Sequence, residues 1–298
     1  MKRGYFATSW RDVRMSKGWL RNLLLLSLVS LVPIIGSMVL LGYVYGWARD
    51  IAWGVRTPMP EHIRSAGRDR MMQRGMHLFV LEMVFLAVPA LFALLFGILF
   101  NNGLATWAGS WQSLVPVDVD LLIQRTVTVL CYVFALIVIP FILVGWMRAT
   151  IYGRLSAGFQ ISRIWSMMRY RLSGLLRIAG ILLVLLCAIV VLAMLYILGV
   201  GLLGAAYSVI TLLHGGQVDW NYFASGVMPV AIAVLPVLVY AVAVLHTFAY
   251  VIIARSLGYW TAQFDVPHWQ GQDDPMPFER QGVAGSEEGA ADEVSVRA

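Results

Sequence analysis

The sequence predicts an all-α fold, a polytopic transmembrane helix bundle, and three observations carry that prediction. Sixty per cent of the residues are apolar and 13% charged, with a mean hydropathy of +0.76, whereas soluble domains hold roughly 45–50% and about 25%. The apolar residues gather into blocks longer than the ~18 residues that mark a crossing helix. The arginines gather between those blocks on alternate loops, as the positive-inside rule expects of a membrane chain. The expected layout is a broken N-terminal helical hairpin at 23–47, four full spans at about 77–100, 126–147, 178–203 and 227–254, and interfacial amphipathic helices.

Residues 1–22 carry Lys2, Arg3, Arg11, Arg14, Lys17 and Arg21 with Tyr5, Phe6, Trp10 and Trp19 between them, a mixture suited to the headgroup level. This start mimics a signal peptide. Apolar character resumes at Ile34 and runs to Trp47, however, so the segment is expected to be retained. Leu23 to Trp47 has no charge and is broken by Pro33-Ile34-Ile35-Gly36. Its first arm, Leu23 to Val32, reaches about 15 Å at 1.5 Å per residue, half of a ~30 Å hydrocarbon layer. Pro33 removes a helical hydrogen bond and Gly36 permits a reversal, so the pair marks the hairpin break.

The Arg-rich stretch 49–75 follows, with a short interfacial helix expected from Glu61. The span 77–100 contains Glu82 and Pro89, and residues 101–120 hold no Lys or Arg. After the second span, Arg148 to Arg177 form another basic stretch. There Ile161, Ile164, Trp165, Met168 and Leu172 recur at helical spacing opposite Arg163, predicting an amphipathic helix in the interface. Gly199, Gly201 and Gly204 match a dinucleotide fingerprint as a string. They lie in a membrane helix without βαβ context, so close helix packing is the expected role. Tyr259, Trp260, Phe264 and Trp269 suit an interfacial anchor. Residues 261–298 are expected to form a disordered acidic cytoplasmic tail.

Counting charges orients the chain. With a hairpin at 23–47, 21 of the 22 basic residues share one side with both termini and only Arg125 lies across. With a plain span there, the later Arg-rich loops would face away from the basic N-terminus. Both termini are therefore expected to be cytoplasmic.

Gly46-Trp47-Ala48-Arg49 followed by Trp53-Gly54 matches Gly145-Trp146-Met147-Arg148 followed by Tyr152-Gly153 at identical offsets, and Ala254-Arg255 with Gly258-Tyr259 echoes them. This predicts an internally duplicated membrane domain over 23–260. The Val32-Pro33-Ile34-Ile35-Gly36 break, Leu41-Gly42-Tyr43, Met59-Pro60-Glu61 and Ala157-Gly158-Phe159 resemble a family of prokaryotic multi-spanning membrane proteins known only as a domain of unknown function. The likeness covers roughly Leu20 to Tyr259, and His62-Ile63 departs from it where the family carries tryptophan. The layout is also similar to the membrane domain of glycerophosphoryl diester phosphodiesterases, without a phosphodiesterase domain. The resemblance implies location in a prokaryotic cytoplasmic membrane and the topology, and no catalytic residue.

Glu82 is the one carboxylate inside a span, and His246 falls at a similar depth, so the two form a candidate intramembrane polar pair. The alternative for Glu82 is a structural role, held by Arg74 or capped by His77. Arg64, Arg68, Arg70, Arg163, Arg169 and Arg171 are candidate contacts for anionic lipid headgroups. No catalytic constellation, metal-ligand spacing or phosphate loop appears, so no cofactor and no enzymatic activity are expected. Arginines at the ends of apolar blocks exclude a nucleic-acid face. The expected partner is the lipid bilayer. The expected function is a non-enzymatic membrane component organising lipids or partner proteins at the cytoplasmic leaflet, the alternative a small-solute or ion transporter or channel.

Overall fold

A computed structural model describes residues 4–61, 70–99, 119–214 and 220–279, and among these it holds helices and no strands. The helices are α1 (Tyr5–Met15), α2 (Trp19–Ser30), α3 (Ile35–Ala52), α4 (Met71–Leu99), α5 (Val119–Tyr152), α6 (Leu155–Gly158), α7 (Ile161–Tyr170), α8 (Leu172–Leu213) and α9 (Trp220–Thr261). Four segments are long and apolar enough to cross a membrane: Met71–Phe96, Arg125–Tyr152, Leu172–Leu213 and Met228–Phe264.

The hairpin break lies where Pro33 and Gly36 predict it. α2 ends at Ser30, Ile34 adopts a left-handed φ of 63°, and α3 starts at Ile35. A Cβ on Gly36 would overlap the carbonyl oxygen of Val29, so only glycine lets the second arm leave so close to the first. Both arms return to one end of the bundle. There the Asn22 side-chain amide and the Tyr43 hydroxyl each donate to the Pro60 carbonyl at 2.8 Å. At that end the segment 55–60 also meets the end of α1, where the Met59 N–H donates to the hydroxyl of Ser16, the residue that caps α1. The chain before the hairpin and the chain after it thus meet at one end of the bundle.

α3 is the hub, packed on α4 along one flank and α9 along the other. Its approach to α4 is backbone-close: a Cβ on Gly42 would overlap the Met71 carbonyl oxygen, and one on Gly75 that of Met38. α4 pairs with α5 and α8 with α9, while α5 and α8 meet over a short length only. The core sits at the hairpin end, built from Leu40, Tyr43, Val44, Trp47, Leu78, Leu81, Val144, Met147, Ile252 and Trp260. Farther along, the spans present their side chains outward, and none of the most apolar stretch of α8 is buried within the chain. Lipid supplies their surroundings there, since a helix that is apolar all round suits hydrocarbon. Pro89, Pro140, Pro229 and Pro236 lie inside continuous helices, as membrane helices tolerate.

Three expectations need correction. Gly199 and Gly201 do not mediate close helix packing: a Cβ on either would meet nothing, although α8 touches α9 close by, where the Tyr196 hydroxyl donates to the Ala231 carbonyl at 2.8 Å. The apolar run of α8 also continues helically to Leu213, past the expected end at 203. The tail expected to be disordered from 261 is folded as far as 279. Ala262–Phe264 and Val266–His268 form 3₁₀ turns. Residues 269–279 then run back over α6 and α7, burying Phe264, Val266 and Met276. These three apolar residues, with Trp269 and Phe278, give the segment enough surface to bury despite its acidic composition. Residues 280–298 and the loops 100–118 and 215–219 lie outside the described residues, as does the helix expected after Glu61.

Candidate functional site

Two buried arginines seal the hairpin end of the bundle. Arg255, 1% exposed, lies over the Trp47 indole with its guanidinium carbon 4.0 Å from the ring centroid. It donates to the Trp47 and Thr57 carbonyls at 3.2 Å each and pairs with the Asp12 carboxylate at 3.0 Å. Tyr259 hydrogen-bonds the same carboxylate. Arg148, with no exposed surface, donates to the carbonyls of Ala157 and Gln272 at 3.2 Å and to the Gln160 side chain. Its guanidinium carbon is 5.3 and 5.9 Å from the ring centroids of Tyr152 and Trp269, which stack on each other at 5.7 Å. Each guanidinium thus finds carbonyl acceptors and aromatic faces, which satisfies a charge that burial would otherwise make costly. Arg148 is covered by the folded tail, and Arg255 by α1 and the 55–60 segment.

Arg163 fastens that tail. It forms an ion pair with Glu279 at 2.7 Å and donates to the Asp273 carbonyl at 2.8 Å. Burial pushes the Glu279 carboxyl up. The Ser166 hydroxyl, the Met276 N–H and the Arg163 charge together outweigh that, so it titrates below its ordinary value.

Beneath the cap, an aromatic floor crosses the bundle. The Tyr45 and Trp146 rings meet at 5.2 Å, Trp146 and Tyr250 at 5.9 Å, and Tyr250 and His246 at 4.6 Å. Trp146 is fixed by its indole N–H, which donates to the Leu78 carbonyl at 2.9 Å. On the far side of this floor, α4, α5, α8 and α9 enclose a cavity of about 340 Å³. Its walls are mostly Leu and Ile, among them Leu86, Ile139, Leu143, Leu182 and Leu186, and its polar groups include Glu82 and His246. Leu86 and Leu186 are also 40% and 42% exposed, so the cavity opens sideways between helices, in the gap left where α5 and α8 diverge.

The candidate residues separate clearly. Glu82 and His246 line one cavity, at the shared depth that their spacing predicts, without forming an ion pair. Arg74 does not hold Glu82; its guanidinium donates to the Gly42 carbonyl at 3.1 Å. Arg70, Arg169 and Arg171 are exposed at the hairpin end, and Arg64 and Arg68 lie outside the described residues. Arg163 is not a free headgroup contact, because Glu279 and the tail occupy its guanidinium. Sequence reasoning missed the buried roles of Arg148 and Arg255. The repeated Arg-x-x-x-aromatic spacing was the available signal, since it stacks the ring one turn from the charge. Among the described residues no group of three or more His, Cys, Asp or Glu side chains is placed to hold a metal.

A helical bundle with four crossing-length segments and an intramembrane cavity defines a multi-pass membrane protein. Within that class, the family described as "Protein of unknown function (DUF4013)" matches residues 25–203, and the chain belongs to it. No curated protein and no solved structure matches the chain.

Proposed function

We propose that the chain is a non-enzymatic component of a prokaryotic cytoplasmic membrane that holds lipid in the cytoplasmic leaflet. The observation that carries this reading is the apolar cavity, open sideways to hydrocarbon and closed toward the hairpin end by the aromatic floor and the buried arginines. A closed polar end and an apolar lateral mouth suit an acyl chain better than a hydrated solute. Exposed Arg70, Arg169 and Arg171 sit at the level where anionic headgroups would lie, each worth about 1 kcal/mol of attraction. Both termini are cytoplasmic in this reading, because the hairpin returns the chain to its own side and nearly all basic residues collect there.

Internal duplication of the domain belongs to the same proposal. Gly54 and Gly153, five residues after Arg49 and Arg148, both take positive φ, 82° and 66°. Arg148 with Tyr152 and Arg255 with Tyr259 repeat the same cation–π pair at i, i+4.

The test is lipid retention. Protein purified in mild detergent and examined by native mass spectrometry should keep bound lipid, and Leu182→Trp, which fills the cavity, should lose it. Equal lipid content in both proteins would refute the reading. A transporter is the second reading, favoured by Glu82 and His246 lining one cavity. Solute flux in proteoliposomes that vanishes in Glu82→Gln would establish it instead.

A further inference from the structure

Glu82 is the group that the fold leaves unexplained. Its carboxyl lines the cavity, and among the described residues nothing hydrogen-bonds or ion-pairs with it. Arg74, two turns earlier on the same helix, is turned away to Gly42. An unpaired carboxylate at membrane depth is costly and is relieved by a proton or by a cation that enters the cavity.

The surroundings of Glu82 have the composition of a cation receptor. Trp146 and Tyr250 belong to the same wall, with Tyr45 behind Trp146. The Tyr45 hydroxyl is fully buried with no hydrogen-bond partner among the described residues. An inorganic ion would demand several oxygen ligands, and one carboxylate with one phenol and the His246 imidazole in a Leu/Ile cavity does not provide them. A large soft cation needs only one counter-charge, ring faces and apolar walls.

We propose that this cavity binds a lipophilic cation, an apolar body or chain bearing an ammonium or delocalised positive charge, with Glu82 as counter-ion and Trp146 and Tyr250 as aromatic walls. The inference rests on reading the cavity as the lipid-holding site and adds which charge it selects. The cation has two sources, the ammonium headgroup of an aminophospholipid and a free lipophilic cation, and the experiment separates them.

Binding of radiolabelled tetraphenylphosphonium to the full chain in non-ionic detergent is measured by equilibrium dialysis. In parallel, the chain in nanodiscs of equal phosphatidylethanolamine and phosphatidylglycerol is analysed by native mass spectrometry for the lipid it carries out. Saturable tetraphenylphosphonium binding, weakened at least about tenfold in Glu82→Gln, supports a free cation. Enrichment of phosphatidylethanolamine that disappears in Glu82→Gln supports the headgroup. If neither probe distinguishes wild type from Glu82→Gln, the proposal is overturned. The two levels fail separately: lipid lost in Leu182→Trp, with neither lipid selectivity nor tetraphenylphosphonium binding changed in Glu82→Gln, leaves the cavity reading standing and removes the Glu82 role. Lipid content unchanged in Leu182→Trp removes the cavity reading itself. Retention of lipid by Glu82→Gln establishes that the variant is folded.

Discussion

Asn22 and Tyr43 donate to a single carbonyl, that of Pro60, from the two arms of one hairpin. Each lies about ten residues from the break at Ile34, so the shared carbonyl sits roughly 15 Å along each arm from the turn. Replacing both partners of such a carbonyl exposes how firmly the arms are held together. Asn22→Ala with Tyr43→Phe leaves the Pro60 carbonyl without its two side-chain donors and should cost about 1–3 kcal/mol. Thermal unfolding in detergent reads this as a lowered midpoint, while lipid retention in the surviving folded fraction stays unchanged.

The Arg255–Asp12 pair should be the more sensitive contact at the same end. Asp12→Asn keeps the shape but removes the counter-charge of an almost fully buried guanidinium. Breaking a buried pair on one side costs about 3–5 kcal/mol, tempered here by the Trp47 ring and two carbonyls that remain. The expected result is a clear fall in the unfolding midpoint. An unchanged midpoint would mean that those remaining partners satisfy Arg255 alone.

Close backbone approach at the α3–α4 crossing predicts intolerance to the smallest side chain. Gly42→Ala and Gly75→Ala each drive a methyl into a facing carbonyl, an overpacking cost of about 1–3 kcal/mol. Gly201→Ala, where a Cβ meets nothing, should stabilise slightly by favouring helix. Parallel unfolding measurements on the three variants check the contrast.

The docked tail should be released by acid. Glu279 titrates below its ordinary value, so its contribution is fully present above pH about 4.5, its unfolded value, and is lost as pH falls through the lower folded value. Hydrogen exchange at 269–279 should therefore remain slow at neutral pH and rise only in the acid range. Glu279→Gln should bring faster exchange already at pH 7, because the Arg163 ion pair is gone.

Much of this architecture is legible in the sequence. Apolar block length gives the four crossing segments, and Pro33 with Gly36 marks the break because backbone chemistry is local. Counting residues back to the basic ends of their helices gives Glu82 and His246 a similar depth, whereas the cavity that both line depends on how α4, α5, α8 and α9 pack. The docked tail is not legible by composition, since a few apolar residues, Phe264, Val266 and Met276, fold it against partners far away in sequence. Gly199 and Gly201 of α8 are misleading for the complementary reason: small residues permit close packing but do not turn toward a neighbour by themselves. Arg148 and Arg255 resemble topology signals because their burial depends on carbonyls presented by other segments.

Every assignment of side depends on the hairpin returning to the face from which it entered. The direct measurement is labelling of single cysteines introduced at exposed Met15 and Val55, with Cys131 and Cys187 replaced by alanine, using a membrane-impermeant maleimide on intact cells and on inverted vesicles. Both positions should be protected in cells and labelled in inverted vesicles. Labelling of the two from opposite sides would make residues 23–47 a full crossing and contradict the account.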